Sequence, residues 1–188
     1  MIFLYLFIPL AVILIVSITW TNYKGSPWVP SSMRVVRQML DLADVQQDEL
    51  VYDLGCGDGR LVVVAARSYG ARGVGIELNP LLWGWCQVLI TILGLRERVT
   101  IRLGNLFSLD VSDADVVACY LLPATNKKLE EKLIEELRPG TRVVTNTFIF
   151  YQTRMAEQDG KARLYIFSPE NTQTEFIKRQ LIASANED

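Results

Sequence analysis

The spacing of apolar positions changes along the chain, and the changes mark out its elements. After the polar stretch Gln46, Gln47, Asp48 and Glu49, residues 50–54 form a short run in which Val51 and Leu54 flank Tyr52 and Asp53, the signature of a buried strand. Gly55, Gly57 and Gly59 then turn the chain, and the apolar run 61–66 restarts it as a helix. Residues 72–77 form a second short strand that ends in Glu77, and 99–103 alternates as a third. Residues 115–120 read as a fourth strand, 141–150 as a fifth, and 161–167 as a further strand, antiparallel at the sheet edge. Helical spacing separates them. Ser31 or Ser32 caps a helix to about residue 43, with Val35, Val36, Met39, Leu40 and Ala43 on one face. Asn79 and Pro80 start another. Leu129, Leu133 and Leu137 stand four apart among Lys127, Lys128, Glu130, Glu131, Lys132, Glu135 and Glu136, a charge run read as a solvated face. Strands alternating with helices predict an α/β fold: a doubly wound, mostly parallel sheet with a short C-terminal antiparallel strand.

Two segments depart from that rhythm. From Met1 to Trp20 only Pro9, Ser17 and Thr19 interrupt the apolar run, and none is charged. About 20 such residues cross a hydrocarbon core of roughly 30 Å. A cleavable signal peptide would carry a basic start and a small-residue exit site, and this run has neither. The sequence therefore predicts one N-terminal transmembrane helix over 1–22, a linker over 23–30, a domain over 31–182 and a polar tail over 183–188. Lys24, Arg34 and Arg37 follow the span and nothing basic precedes it beyond the α-amine, which predicts a single-pass membrane protein with its domain facing the cytoplasm. The second segment is 81–95, where only Gln87 and Thr91 are clearly polar. It is too short to span a bilayer. One face packs on the sheet, and the other calls for a membrane, a partner or another subunit.

Composition narrows the function. The 188 residues suffice for one α/β domain with a full core. Half of them are hydrophobic and the mean hydropathy is +0.20, an excess that sits largely at the start. The net charge of −2 and pI near 5.3 offer no basic surface to nucleic acid. There is no histidine, which removes a histidine base and histidine metal ligation, and no cysteine pair has metal spacing, so no metal is expected. Cys56, Cys86 and Cys119 are odd in number and fall within core elements, as expected of thiols in a reducing compartment.

The chemistry concentrates at the glycine corner. A dinucleotide fingerprint places its third glycine five positions after the first; here that position is Arg60 and the third glycine comes one residue earlier. The acidic Asp53 before the turn suits a cationic ligand and repels a pyrophosphate. Glu77, eighteen residues after Gly59, is a strand-end carboxylate placed to accept both hydroxyls of a ribose. The stretch Asp-Leu-Gly-Cys-Gly-Asp-Gly at 53–59 resembles motif I of the class I S-adenosylmethionine (SAM) methyltransferases. With Pro30-Ser31, Glu77-Leu78-Asn79-Pro80, Tyr120-Leu121-Leu122-Pro123, Glu136-Leu137-Arg138-Pro139-Gly140 and Asn146-Thr147-Phe148, the chain resembles the small single-span protein-lysine methyltransferases of mitochondria and their prokaryotic relatives over residues 26–168.

That resemblance implies a Rossmann-like methyltransferase sheet and SAM as cofactor. It implies cofactor contacts from Asp53, Gly55, Gly57, Asp58, Gly59 and Glu77, with Ser31 in a loop that closes over the site. Asn105 stands where many relatives carry an aspartate for the adenine amino group, and its amide oxygen can accept the same bond; Leu106 or Phe107 covers the adenine face. Tyr120 lines the lysine channel and hydrogen-bonds the amine, and Asn146 is a second candidate. The implied partner is a protein substrate, membrane-embedded proteins included, with no nucleic acid expected, and the Asn/Asp-Pro-Pro-Tyr motif of base-amino methyltransferases is absent at 120–123. Two alternatives stay open: SAM-dependent methylation of a lipid or hydrophobic small molecule, and a non-catalytic membrane adaptor on the same fold.

Overall fold

The computed structural model describes residues 29–168. The expected span over 1–22, the linker up to residue 28, the end of the domain from 169 and the tail over 183–188 lie outside the described residues. Among those described, no helix is long and apolar enough to cross a membrane.

Among the described residues, seven strands form one sheet in the order β3-β2-β1-β4-β5-β7-β6. In chain order the elements are helix α1 (Met33–Leu42), β1 (Leu50–Leu54), α2 (Arg60–Tyr69), β2 (Arg72–Glu77), α3 (Pro80–Ile92), β3 (Val99–Leu103), β4 (Val116–Cys119), α4 (Pro123–Glu136), β5 (Thr141–Asn146), β6 (Met155–Asp159) and β7 (Ala162–Phe167). The first five strands are parallel, with Asp53 opposite Gly75 of β2 on one side and Ala118 of β4 on the other. The three central strands β1, β4 and β5 are buried at nearly every position, their Val, Leu and Ala covered on both faces of the sheet.

The helices begin and end where the sequence supplies caps. Ser32 Oγ accepts the N–H of Val35 at 3.3 Å and starts α1, and Asn79 Oδ1 accepts the N–H of Leu81 at 2.9 Å and starts α3 behind Pro80. Helices α1, α2 and α3 bury Val36, Met39, Leu40, Leu61, Val62, Ala65, Cys86 and Ile90 on one face of the sheet. On the other face α4 buries Leu129 and Leu133 against Leu54, Val117 and Val143. The crossovers from β1 lead away to β2 while β4 lies on its other flank, so strand order reverses between β1 and β4 at their carboxyl ends. Open α/β sheets bind ligands at that crevice.

The pattern reading needs three corrections. The antiparallel strand at 162–167 is not an edge strand: it lies between β5 and β6, pairing Asn146 with Ala162 and Asp159 with Ala162. β6 is the edge, and all five of its residues, Met-Ala-Glu-Gln-Asp, are exposed, so no apolar alternation announced it. β5 stops at Asn146 rather than 150, because Thr147 takes a positive φ of 70° and donates its N–H to Lys161 O at 2.7 Å. Finally, the charge run of α4 is not wholly solvated. Glu130 is 1% exposed.

Candidate active site

The glycine corner leaves β1 at the crevice and forms its floor. Gly55 has φ +86°, a conformation that disfavours any larger residue, and a Cβ there would stand 2.9 Å from Leu121 Cδ2 and push that side chain aside. Gly59, at φ +78°, sits behind the corner: a Cβ would stand 3.0 Å from Cys86 Sγ, so this glycine lets α3 approach and does not line the pocket.

The pocket is lined by Gly55, Cys56, Gly57 and Asp58 after β1, by Ile76 and Glu77 of β2, and by Gly104, Asn105, Leu106 and Phe107 after β3. Cys119, Tyr120 and Leu121 complete it from β4, and Val29, Pro30 and Ser31 close its rim. Nine of the twelve site residues expected from sequence and resemblance therefore share one cavity with Tyr120, and Gly59 and Asn146 stand just outside it.

Three carboxylates set the potential of the pocket. Glu77, 8% exposed, accepts the N–H of Gly57 on Oε2 and the N–H of Asn79 on Oε1, both at 2.8 Å. The carboxylate keeps lone-pair capacity for a further donor. Burial raises its pKa, and the N–H groups of Asn79, Gly57 and Leu78 work against that rise. Asp53 is pushed up to about 7, first by burial and then by the negative charges of Glu77 and Asp58. A cation entering the pocket would relieve that repulsion. Asp58 is chelated by Arg60, whose Nε lies 2.8 Å from Oδ1 and whose guanidinium also donates to the carbonyl of Ser31. Arg60, noted in the sequence only as a missing glycine, thus ties the rim to the corner.

On the acceptor side, Tyr120 follows β4 and its ring stacks on Phe148, with centroids 6.1 Å apart and planes at 22°. Asn146 does not line the cavity; its Nδ2 donates to Ser31 Oγ at 3.0 Å and so supports the rim from behind. Asn105 is exposed and its Oδ1 accepts the N–H of Phe107 at 3.0 Å, holding the short 3-10 turn Leu106–Ser108 with one lone pair left over. The residue the sequence concealed is Glu130 of α4. Its carboxylate accepts the N–H groups of Tyr151, Gln152 and Thr153 at 2.9, 2.8 and 2.8 Å, fixing the segment that carries Phe148. No local signal separates it from its charged neighbours, because its partners lie more than twenty residues downstream.

The chemistry open to this pocket is narrow. Cys56 and Cys86 are buried free thiols, and the Cys56 thiol is pushed well above its ordinary pKa by its hydrogen bond with Cys86 and by burial, so no thiolate is ready. Among the described residues no cluster of acids and cysteines could hold a metal ion. What remains is a glycine-floored, acid-lined cleft with an aromatic pair beside it, which suits a cationic cofactor bearing a diol and an aromatic base. The donor and acceptor set thus fits SAM.

Comparison with known proteins agrees. The model of the ANTKMT methyltransferase domain matches residues 53–157. A protein-lysine N-methyltransferase of Saccharolobus islandicus is 45% identical over 123 residues, covering 65% of this chain and 76% of that protein. An adenine nucleotide translocase lysine N-methyltransferase of Mus musculus is 37% identical, covering 65% of this chain and 53% of that protein. The chain spans about half the length of the mouse relative. A solved structure of an RNA methyltransferase from Salinibacter ruber with S-adenosyl-L-homocysteine is 44% identical with a TM-score of 0.67, covering 74% of this chain and 92% of that one.

Proposed function

We propose that this chain, which belongs to the ANTKMT methyltransferase family and takes SAM as its cofactor, is a protein-lysine N-methyltransferase held at a membrane. The observation that carries the reading is the pairing of an acid-lined cofactor pocket with the stacked Tyr120 and Phe148 at the acceptor side.

SAM supplies an activated methyl group on a sulfonium. The residues of the chain supply position and environment. Glu77 would accept from the ribose diol on its remaining lone-pair capacity, Asp53 would hold the cationic end, Asn105 would accept from the base, and Leu106 and Phe107 would cover the base. The N–H of Gly57 fixes the Glu77 carboxylate in place. Tyr120 and Phe148 form the wall along which the lysine stem enters, shedding water as it does. A lysine ammonium brought out of water loses its proton more readily, so the site needs no strong base, and Tyr120 orients the neutral amine by a hydrogen bond for in-line attack.

The proposed membrane location rests on the uncharged run from Met1 to Trp20 with Lys24, Arg34 and Arg37 after it, and it places the domain on the cytoplasmic side. RNA is the acceptor named for the Salinibacter ruber protein. The present chain, at net charge −2, carries no excess of basic residues to draw a polyanion. The test is incubation of the purified full chain with radiolabelled SAM and, separately, cell membranes, soluble protein and total RNA. Methyl-lysine identified by mass spectrometry in membrane protein is the expected result. Label confined to lipid or to RNA would overturn the lysine reading.

A further inference from the structure

Helix α3 carries an uncharged outer face of regular spacing. Leu81, Trp85, Val88 and Ile92 are 42, 56, 53 and 77% exposed. Their separations of four, three and four residues place them within about 60° of one another around the helix axis. No charged residue occurs between Glu77 and Arg96. The inner face is fully used: Cys86 and Ile90 are buried, and Trp83 Nε1 and Gln87 Nε2 both donate to Ile101 O at 3.0 Å. The four outer side chains therefore leave a large share of their apolar surface to solvent. Leu103, on the alternation of Val99 and Ile101 toward the same side of the sheet, adds an exposed apolar side chain at 50%.

We propose that this face of α3 docks on a lipid bilayer, the stripe entering the boundary between headgroups and acyl chains. The inference rests on the proposed membrane location. Trp20, the last residue of the apolar run, is nine residues from Val29, which fixes Val29 within about 30 Å of it. Val29 lies on the pocket rim with Leu82 of α3, so the described chain starts at the end of the molecule where α3 also starts. The helix layer that includes α3 also fits an anionic surface, since Arg34 and Arg37 of α1 and Arg67 of α2 are exposed on it. An amphipathic indole such as Trp85 favours the interface. A domain already tethered this close loses little further freedom by docking, so a small patch suffices. Docked on this layer, the pocket mouth opens along the membrane surface, within reach of a lysine at headgroup level.

The test uses the full chain in vesicles of phosphatidylcholine with phosphatidylglycerol. Val88→Cys, Ile92→Cys and, as the reference on the opposite helix, Glu131→Cys are each labelled with an environment-sensitive fluorophore; Cys56, Cys86 and Cys119 are buried. Labels at 88 and 92 are expected to shift to the blue and to be quenched several-fold more by spin-labelled lipid than the label at 131. Equal quenching of all three by aqueous iodide overturns the proposal. A blue shift that lipid quenchers do not reach, and that fades on dilution with unlabelled protein, overturns it in favour of a second copy. Failure of the full chain to stay with the vesicles overturns both the docking and the anchor. Retention with water-exposed labels overturns the docking alone.

Discussion

The amide of Asn146 donates to the hydroxyl of Ser31 across 3.0 Å, joining two residues 115 positions apart in the sequence. With the Arg60 guanidinium on the Ser31 carbonyl, this bond holds the pocket rim between the cofactor corner and the end of β5. The Ser31→Ala and Asn146→Ala variants, combined in a double-mutant cycle, should show a coupling of about 1 kcal/mol in kcat/KM. Strict additivity would assign the two residues to separate tasks.

Glu77→Ala removes the ribose acceptor and leaves the N–H of Gly57 without its partner. SAM affinity, measured by calorimetry on a variant shown to be folded, should fall by about 1.5 to 3 kcal/mol. Unchanged affinity would remove Glu77 from the cofactor site.

Asp53 makes the pocket sensitive to pH. Its pKa in the folded protein, about 7, lies above the ordinary value of 3.8. The neutral acid therefore favours folding of the protein without cofactor, fully so below about pH 4, and that contribution is lost as pH rises through about 7. Cofactor binding runs the other way, because the cation prefers the ionised form. SAM affinity should rise as pH approaches about 7 from below and level off above it, while the melting temperature without SAM falls between about pH 4 and pH 7 and then levels off. Asp53→Asn should flatten both profiles, weaken SAM binding, and raise stability above neutrality by on the order of 2 to 4 kcal/mol.

Tyr120→Phe keeps the ring against Phe148 and removes only the hydroxyl. Turnover should drop about tenfold with the KM for SAM within about twofold, the pattern of an interaction made chiefly in the transition state. A changed SAM affinity with unchanged turnover would move Tyr120 to the cofactor side.

Glu130→Ala deprives three backbone N–H groups of their acceptor. The expected loss is about 3 kcal/mol of unfolding free energy in denaturant titration, a core-sized effect from a charged helix position. Glu130→Gln retains one acceptor oxygen, the one shared by Gln152 and Thr153 being sufficient for two bonds, and should lose roughly half as much. Equal stability of all three proteins would show that the segment holds itself.

What the sequence disclosed and what it hid follow from distance and exposure. The ranges of β2 and β3 were legible to the residue because β2 is a short apolar run closed by Glu77 before Asn79 and Pro80, and β3 alternates Val99, Ile101 and Leu103 up to Gly104. The cofactor corner was legible because its glycines and acids are local. β6 was not, since an edge strand exposed at every position has no apolar face to display. Glu130 was hidden in a run of like residues, and its role exists only once a distant loop folds over it. Asn146, a second candidate for the acceptor side in the sequence, spends its side-chain amide on Ser31, a non-local bond that no motif spacing encodes.

The placement of β7 between β5 and β6 has a consequence for a chain emerging from the ribosome. β1 acquires its first partner at Arg72 but its second only when β4 is complete at Cys119, and β5 stays open on its outer side until Ala162 to Phe167 arrive. The sheet therefore closes from the middle outward, and the last described strand to be made seals Val143 and Val144 from outside pairing. A nascent chain that has emerged from the ribosome only as far as residue 161 would present a cofactor corner already assembled and a β5 edge still free to pair with another chain.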